Sequence, residues 1–359
     1  MTILSHVVCA RCKGPLDPRA EAIACARCDQ AYPRVGDIPV LLPRPDAHVE
    51  LWRRQLGLII AQGHETRTGL EAQADAPGVR ANGRTRLRTL ARAVSDQVDD
   101  IAAVLGPALG GPLPATSEGG LPRGVVEYIY YLYRDWAWPE GDQRENQQAL
   151  NDIRDIVSAG GLGRTLVVGA GGCRLAYDLH RSCGATETAV IDIDPYLFVI
   201  AEAVVRGGSV RLTESTVTVQ EIEHVSTSWT LTAPAGPLDK KAFHFFLANG
   251  VEPPFADGSF DTVVTPWFID QVPVDLQAFL ATLHRLLVPG GRWINQGPLI
   301  YRPESTPVAS RFSREEIFDL AGSAGFRLGR WSGQSRPYLV SPLTGRGKVE
   351  WVLTFEALR

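Results

Sequence analysis

A glycine-rich turn between two short apolar runs limits the folds open to this chain more than any other feature. The runs are 165–168 and 188–191, the turn is 169–172, and residues 174–182 after the turn have the spacing of an amphipathic helix. The second run ends on Asp192. This order, in which a strand, a glycine turn, a helix and a second strand lead to an acid, is typical of a βαβ unit that binds a nucleoside at the carboxyl end of a parallel sheet.

Within this unit, Gly169 and Gly171 let the backbone turn tightly and come close to a ligand, and Asp192 is placed to accept the hydroxyls of a ribose. A dinucleotide-binding turn has a third glycine where this chain has Arg174, so a pyrophosphate-bearing cofactor such as NAD fits less well. S-adenosylmethionine, which carries a ribose but no phosphate, fits better. A purely structural turn stays an alternative at this point, since every such crossover needs one.

Two Cys-x-x-Cys pairs separated by twelve residues lie near the start of the sequence, a spacing typical of a four-thiolate zinc ribbon. A segment of this size buries too little surface to fold alone, so bound zinc would supply its folding energy. Four thiolates leave no coordination position open, which predicts structural zinc; paired disulfides are the disfavoured alternative. The candidate ligands are Cys9, Cys12, Cys25 and Cys28.

The remaining chain suggests a helical region followed by an α/β sheet domain. We place the zinc ribbon at 1–45, a helical cap at 46–160 and a Rossmann-like, S-adenosylmethionine-binding domain at 161–359. Within the cap we expect a loop over 69–83, where apolar residues are few. Alternating Thr and Val stretches within 209–248 predict a small hairpin inserted before the third strand.

The aromatic stretch 128–138, YIYYLYRDWAW, has two interpretations. Its rings could pack on the sheet as part of the core. Alternatively it forms a lid over the cofactor, in which Arg134 pairs with the cofactor carboxylate through its planar, two-pronged guanidinium.

Polar residues follow the third and fourth predicted strands. Asn249 stands at the tip of the third and is predicted to contact the adenine amino group. The fourth strand, 262–265, runs into Pro266, Trp267 and, three residues later, Asp270. The end of that strand faces the transferred methyl group in sheets of this type, so Asp270 is the candidate for contact with the reacting substrate atom.

The bulk properties limit the partners of this chain. A formal net charge of −4 gives no general attraction to nucleic acid or to anionic lipid. No apolar run approaches the roughly 18 residues that a membrane helix needs, and the start of the chain lacks the pattern of a signal peptide. We expect a soluble, cytoplasmic protein that binds a small molecule; a homodimer is compatible with the sequence.

Several motifs resemble the carnosine N-methyltransferase family. The longest is 261–299, which contains F-I-D and most of the pattern W-I-N-x-G-P-L-x-Y that ends at Tyr301. Shorter ones are R-D-W at 134–136, V-G-A-G at 168–171 and E-W-V-L at 350–353. The resemblance spans about 125–359 with a gap over 205–250. Separately, the ribbon resembles small zinc-ribbon proteins that activate methyltransferases.

The resemblance implies a class I methyltransferase that methylates an imidazole nitrogen of a small histidine derivative. It assigns the cofactor to Arg134, the 169–171 turn, Asp192 and Pro266, and the imidazole to Asp270. Around the imidazole we place four substrate-binding residues: Trp267, Tyr301, Arg302 and Tyr338.

This chain departs from the family at positions that would touch substrate. Arg302 replaces a histidine, and Gly347 and Val349 replace tyrosines, so one permanent cation is added and two rings are lost. We therefore expect a histidine-like substrate other than carnosine, such as a thiol or selenol derivative. Cys173 replaces a glycine beside the cofactor turn.

Two other functions stay open on the sequence. The chain could methylate tRNA or protein, with the ribbon as a macromolecule-binding arm, or it could be a non-enzymatic interaction protein. A basic, aromatic face running from ribbon to pocket would favour the first of these. A closed pocket roofed by 128–138 would favour a small-molecule substrate.

Overall fold

In a computed structural model, the structure describes residues 2–110, 125–139, 145–157, 160–271, 275–303 and 306–359. The helices are α1 (Pro45–Asp75), α2 (Ala81–Ala108), α3 (Val125–Trp136), α4 (Glu145–Ile156), α5 (Arg174–Ser182), α6 (Pro195–Val205), α7 (Leu276–Leu286) and α8 (Arg314–Ser323). The strands are β1 (Ile23–Ala24), β2 (Ala31–Tyr32), β3 (Arg34–Val35), β4 (Ile38–Leu41), β5 (Gly163–Val168), β6 (Ala185–Asp192), β7 (Val210–Ser215), β8 (Ser226–Leu231), β9 (Phe243–Ala248), β10 (Phe260–Pro266), β11 (Leu287–Gly297), β12 (Arg327–Tyr338) and β13 (Lys348–Leu358).

A nine-stranded sheet in the described residues has the order β12-β13-β11-β10-β5-β6-β9-β4-β3. The neighbours from β11 to β4 pair in parallel, and β13 and β12 add antiparallel strands at one end. The strand order reverses where β5 lies between β10 and β6, and such a switch point is where open α/β sheets bind ligands. The predicted α/β, Rossmann-like class is confirmed.

Both faces of the sheet are covered, which is why its central strands read as nearly continuous apolar runs. Along β5, Val167 points into a core shared with the helices of the cap, whereas its neighbours Leu166 and Val168 point into a second core. That second core contains α7, α8 and the N-terminal segment, including Ile3 and Cys9. The predicted ribbon thus packs on one face of the sheet.

The ribbon also extends the sheet itself, because β4 pairs in parallel with β9, with Val40 opposite Leu247. Two buried hydrogen bonds reinforce this junction: Glu187 of β6 accepts the backbone N–H of Ile3 at 2.8 Å and lies 2.8 Å from Nε2 of His244. The predicted ribbon and sheet therefore share strands and core.

Two details of the cap region bear on the sequence expectations. The loop expected over 69–83 is wrong at both ends, because α1 continues to Asp75, with Arg67 and Glu71 paired one turn apart, and α2 begins at Ala81. The hairpin within 209–248 is confirmed as the antiparallel pair β7 and β8. None of the helices in the described ranges is long and apolar enough to cross a membrane.

Candidate active site

A cavity of about 870 Å³ opens at the carboxyl ends of β5, β6, β9 and β10, the place that the strand order indicates. Its lining includes ten of the residues predicted from sequence: Arg134, Gly169, Gly171, Asp192, Asn249, Pro266, Trp267, Asp270, Arg302 and Tyr338. The lining does not include Tyr301, whose hydroxyl donates instead to the carbonyl of Phe312 at 3.1 Å.

The two glycines of the turn differ in what they accommodate. Both have left-handed backbone, with φ of +69° at Gly169 and +53° at Gly171, which favours glycine. A Cβ atom at Gly169 would lie 2.4 Å from the ring of Phe268, whereas one at Gly171 would meet nothing within 4 Å. The missing side chain at Gly169 therefore leaves room for the ring of Phe268, and the missing side chain at Gly171 leaves the backbone open to a ligand.

Asp192 is held against the turn by backbone hydrogen bonds. Its Oδ2 accepts the N–H of Gly171 at 2.8 Å, and its Oδ1 accepts the N–H of Asp194 at 2.9 Å. Burial raises the pKa of Asp192. Asp194 caps α6, and burial together with the charge of Asp192 raises the pKa of Asp194 to about 7. Two carboxyl groups thus mark the tip of β6.

Helix α3 has one face in the core and another on the cavity, so each interpretation of 128–138 describes one side of it. Tyr133 and Trp136 are buried, and the indole of Trp136 donates to the carbonyl of Gly172 at 2.7 Å. Tyr131 and Arg134 line the cavity. The hydrogen bond of Trp136 ties this aromatic helix directly to the glycine turn.

Arg134 is oriented before any ligand binds. Its Nε donates to Oδ1 of Asp135 at 2.8 Å, and its guanidinium carbon lies 5.2 Å from the ring centre of Tyr131. The other carboxylate oxygen of Asp135 fills the space beside Gly172, where a Cβ atom would lie only 2.2 Å away. The packing requires glycine at that position and holds Arg134 at the cavity wall.

Asp270 lies in a short 3₁₀ turn, Ile269–Gln271, directly after β10. It is 4% exposed, and its Oδ2 accepts the N–H of Ile300 at 3.0 Å. Its Oδ1 is buried and has no hydrogen-bond partner in the ranges that the structure covers. Burial raises the pKa of Asp270 to about 6, and the Ile300 N–H opposes this rise. A buried acceptor without a partner is costly, so this oxygen is available to a ligand N–H.

Trp267 forms an aromatic wall beside Asp270. Its φ of +50° is unusual for a bulky residue and marks stored backbone strain, a feature that clusters at functional sites. Its ring stacks on Tyr338, with centres 3.9 Å apart and planes 14° apart. Gly297 permits this conformation, because a Cβ atom there would lie 2.8 Å from the Trp267 backbone.

Arg302 joins the Asp270 turn to the aromatic helix. Its Nε donates to Oε1 of Gln271 at 2.7 Å, and a terminal nitrogen donates to the hydroxyl of Tyr128 at 2.8 Å. Sequence reasoning missed Gln271 as a contact here and gave Tyr128 no role of its own. The crowding of tyrosines in 128–138 was a signal for Tyr128; Gln271 had none beyond its place after Asp270.

The four N-terminal cysteines converge, with all their sulfur atoms within 4.8 Å of one another. The Sγ atoms of Cys9 and Cys28 are 3.6 Å apart, and those of Cys12 and Cys25 are 3.5 Å apart. Four thiolates about 2.3 Å from a tetrahedral zinc ion are about 3.8 Å from each other. The donor set therefore fits zinc, and none of the four cysteines lines the cavity.

Comparison with solved structures finds S-adenosylmethionine-dependent methyltransferases. One from Aquifex aeolicus has a TM-score of 0.38 and 13% identity, covering 65% of this chain and 97% of that one. Phosphoethanolamine N-methyltransferase 2 of Haemonchus contortus, in complex with S-adenosyl-L-methionine, has a TM-score of 0.43 and 14% identity, covering 69% of this chain and 62% of that one.

Comparison by sequence finds one family. The profile of carnosine N-methyltransferase matches residues 215–340, a range that begins inside the gap over 205–250 in the motif resemblance. The carnosine N-methyltransferase of Schizosaccharomyces pombe is 23% identical over 267 residues, covering 64% of this chain and 68% of that protein. That of Dictyostelium discoideum is 28% identical over 100 residues, covering 28% of this chain and 21% of that protein.

Proposed function

We propose that the chain, which is similar to carnosine N-methyltransferases, is an S-adenosylmethionine-dependent enzyme of that family and methylates an imidazole nitrogen of a small histidine-derived molecule. The observation that carries this proposal is the buried, unpartnered Oδ1 of Asp270 at the tip of β10. A neutral imidazole has one N–H and one nitrogen with a free lone pair. Asp270 would accept the N–H, hold the ring in one tautomer and leave the lone pair of the other nitrogen exposed for attack.

The cavity has the residues that S-adenosylmethionine would need, and when bound the cofactor supplies an electrophilic methyl group. The open backbone at Gly171 gives a nucleoside room to approach, and Asp192 lies beside it to accept ribose hydroxyls. Asn249 and Pro266 line the same cavity at the tips of β9 and β10. Arg134, oriented by Asp135, would bind the cofactor carboxylate.

Replacing Asp192 by alanine is expected to weaken binding of S-adenosylhomocysteine about ten- to a hundred-fold, since hydrogen bonds to a charged group contribute about 1.5–3 kcal/mol. Titration calorimetry measures the change. Asp319→Ala on the exposed surface of α8 is the matched control and should bind like wild type. Unchanged affinity in Asp192→Ala would remove Asp192 from the cofactor site.

On the substrate side, we propose that Arg302 binds a carboxylate. Its neighbours Gln271 and Tyr128 are uncharged, so the guanidinium has its hydrogen bonds but no ion pair in the described chain. Trp267 and Tyr338, whose rings stack on each other, would form the wall on one side of the imidazole. Gly347 and Val349, which were expected to touch substrate, do not line the cavity, so the position of Arg302 alone supports a substrate other than carnosine.

If Arg302 binds a carboxylate, amidating that group should weaken a substrate for wild type and have little further effect in Arg302→Ala. Measuring kcat/KM for both enzymes with histidine and histidinamide isolates the pair as a double-mutant cycle. Loss of a charged hydrogen bond corresponds to about a ten- to hundred-fold change. Arg92→Ala, at an exposed position of α2, controls for the loss of a positive charge. If amidation lowers kcat/KM equally in wild type and in Arg302→Ala, the pairing of Arg302 with the substrate carboxylate is refuted.

Methyl-donor assays over histidine, its dipeptides and its thiol and selenol derivatives test the substrate class. Methylation of tRNA or protein is the alternative, and the position of Tyr128, Tyr131 and Arg134 of α3 in the cavity wall supports the small-molecule proposal over it. Transfer of labelled methyl groups to RNA or protein, with none to any imidazole compound, would reverse this choice.

We also propose that Cys9, Cys12, Cys25 and Cys28 hold a structural zinc ion. The convergence of their sulfur atoms supports it, and so does their position on the sheet face that α7 and α8 cover, away from the cavity.

A further inference from the structure

A second acid with one unpartnered oxygen lines the cavity, on α4. Glu145 uses Oε1 to accept the backbone N–H of Val340 at 3.0 Å, but its buried Oε2 has no hydrogen-bond partner among the described residues. Gln148, one helical turn later and also in the lining, has a buried side-chain oxygen that likewise lacks a partner. Residues three apart on a helix lie side by side, so the two acceptors form one electronegative patch.

Among the cations of the lining, Arg134 and Arg336 are already bound to acids, whereas Arg302 and Lys348 have no ion pair among the described residues. Arg134 is bound to Asp135, and Arg336 is bound to Asp152. A carboxylate oxygen removed from water without a donor costs free energy that a bound ligand could offset. The ligand group that best suits a carboxylate beside an amide oxygen is an ammonium, which has three N–H donors and a full positive charge. The rings of Tyr131 and Tyr338 in the same lining add surfaces that attract a cation.

We infer that Glu145, with Gln148, binds a primary ammonium group in this cavity. Two molecules could bring it: the methionine part of the cofactor, or an amino-acid substrate. The substrate arm rests on the proposed imidazole methylation, whereas the cofactor arm requires only that S-adenosylmethionine binds here.

Glu145→Gln tests the inference, because the amide keeps an acceptor for the Val340 N–H and removes the charge. Titration calorimetry should compare S-adenosylhomocysteine with its des-amino analogue, and, with S-adenosylhomocysteine present, histidine with imidazolepropionate. In wild type, the ligand with the ammonium should bind about ten- to a hundred-fold more tightly than its analogue without it, in one of the two pairs. Glu145→Gln should lose most of this affinity ratio. The pair that responds identifies the source of the ammonium.

Asp155→Asn removes a carboxylate from an exposed position of the same helix and should leave both ratios as in wild type. Gln148→Met removes the second acceptor at nearly constant length and should reduce the ratio less than Glu145→Gln does. If Glu145→Gln weakens charged and des-amino ligands equally, or changes neither ratio, the inference is wrong. A wild-type enzyme that methylates no imidazole compound overturns the proposed function, yet the S-adenosylhomocysteine pair still decides whether Glu145 binds an ammonium.

Discussion

Asp270→Asn is expected to lower kcat about a hundred-fold or more, the range typical of losing a positioned proton-accepting group. The amide can present its own N–H to the imidazole, which favours the wrong tautomer and turns the lone pair away from the cofactor. Cofactor binding should change little, because Asp270 lies at the substrate side of the cavity. Steady-state kinetics on the best imidazole substrate, with calorimetry of S-adenosylhomocysteine, checks both parts. Near-normal turnover by the variant would remove Asp270 from the mechanism.

Unfolding measurements distinguish a loss of turnover in Asp270→Asn from misfolding of the variant. Burial raises the pKa of Asp270 to about 6, so the folded protein binds a proton there more tightly than the unfolded chain does. Loss of the Asp270 proton therefore lowers the free energy of unfolding as pH rises from about 4 to 6. The full cost of about 1–3 kcal/mol is present above that range. An uncharged asparagine avoids the cost. Asp270→Asn should therefore unfold at the same or a higher denaturant concentration than wild type at pH 8, with a smaller difference at pH 5.

Removing zinc is expected to have the largest effect on stability. Structural zinc in small ribbons contributes about 10–16 kcal/mol to folding. Here the ribbon also supplies β4 to the sheet and Ile3 to its core, so its loss should expose β9 as an open edge. We expect one zinc ion per chain by metal analysis, and a strongly lowered melting temperature after chelation or in Cys25→Ser.

Cys183→Ser is the matched control, since Cys183 is outside the four-cysteine cluster and should leave zinc content at wild type. Protein purified without chelator that contains no zinc would refute the site. If Cys25→Ser abolished turnover while fold and cofactor affinity stayed intact, a purely structural role would be wrong.

The sequence by itself determined the parts of this protein that depend on local chemistry. The helix predicted over 174–182 is α5: Gly169 and Gly171 permit the left-handed turn, Cys173 adopts the same conformation at the N-cap, and the apolar spacing sets the buried face of the helix. The tips of β6, β9 and β10 carry the predicted Asp192, Asn249 and Asp270, since strand ends can be read from where apolar runs stop. The cysteine spacing likewise predicted four sulfur atoms in one place.

Only the tertiary structure decided which distant residues meet. Arg302 and Tyr128 are hydrogen-bonded across 174 positions of sequence, and no local pattern records such a contact. Tyr301, the last residue of a family motif and the neighbour of Arg302, donates its hydroxyl to the carbonyl of Phe312 and does not line the cavity. Glu145 had no motif at all, since an acid in the first turn of a helix is ordinary. Packing alone buried its second oxygen at the cavity without a partner.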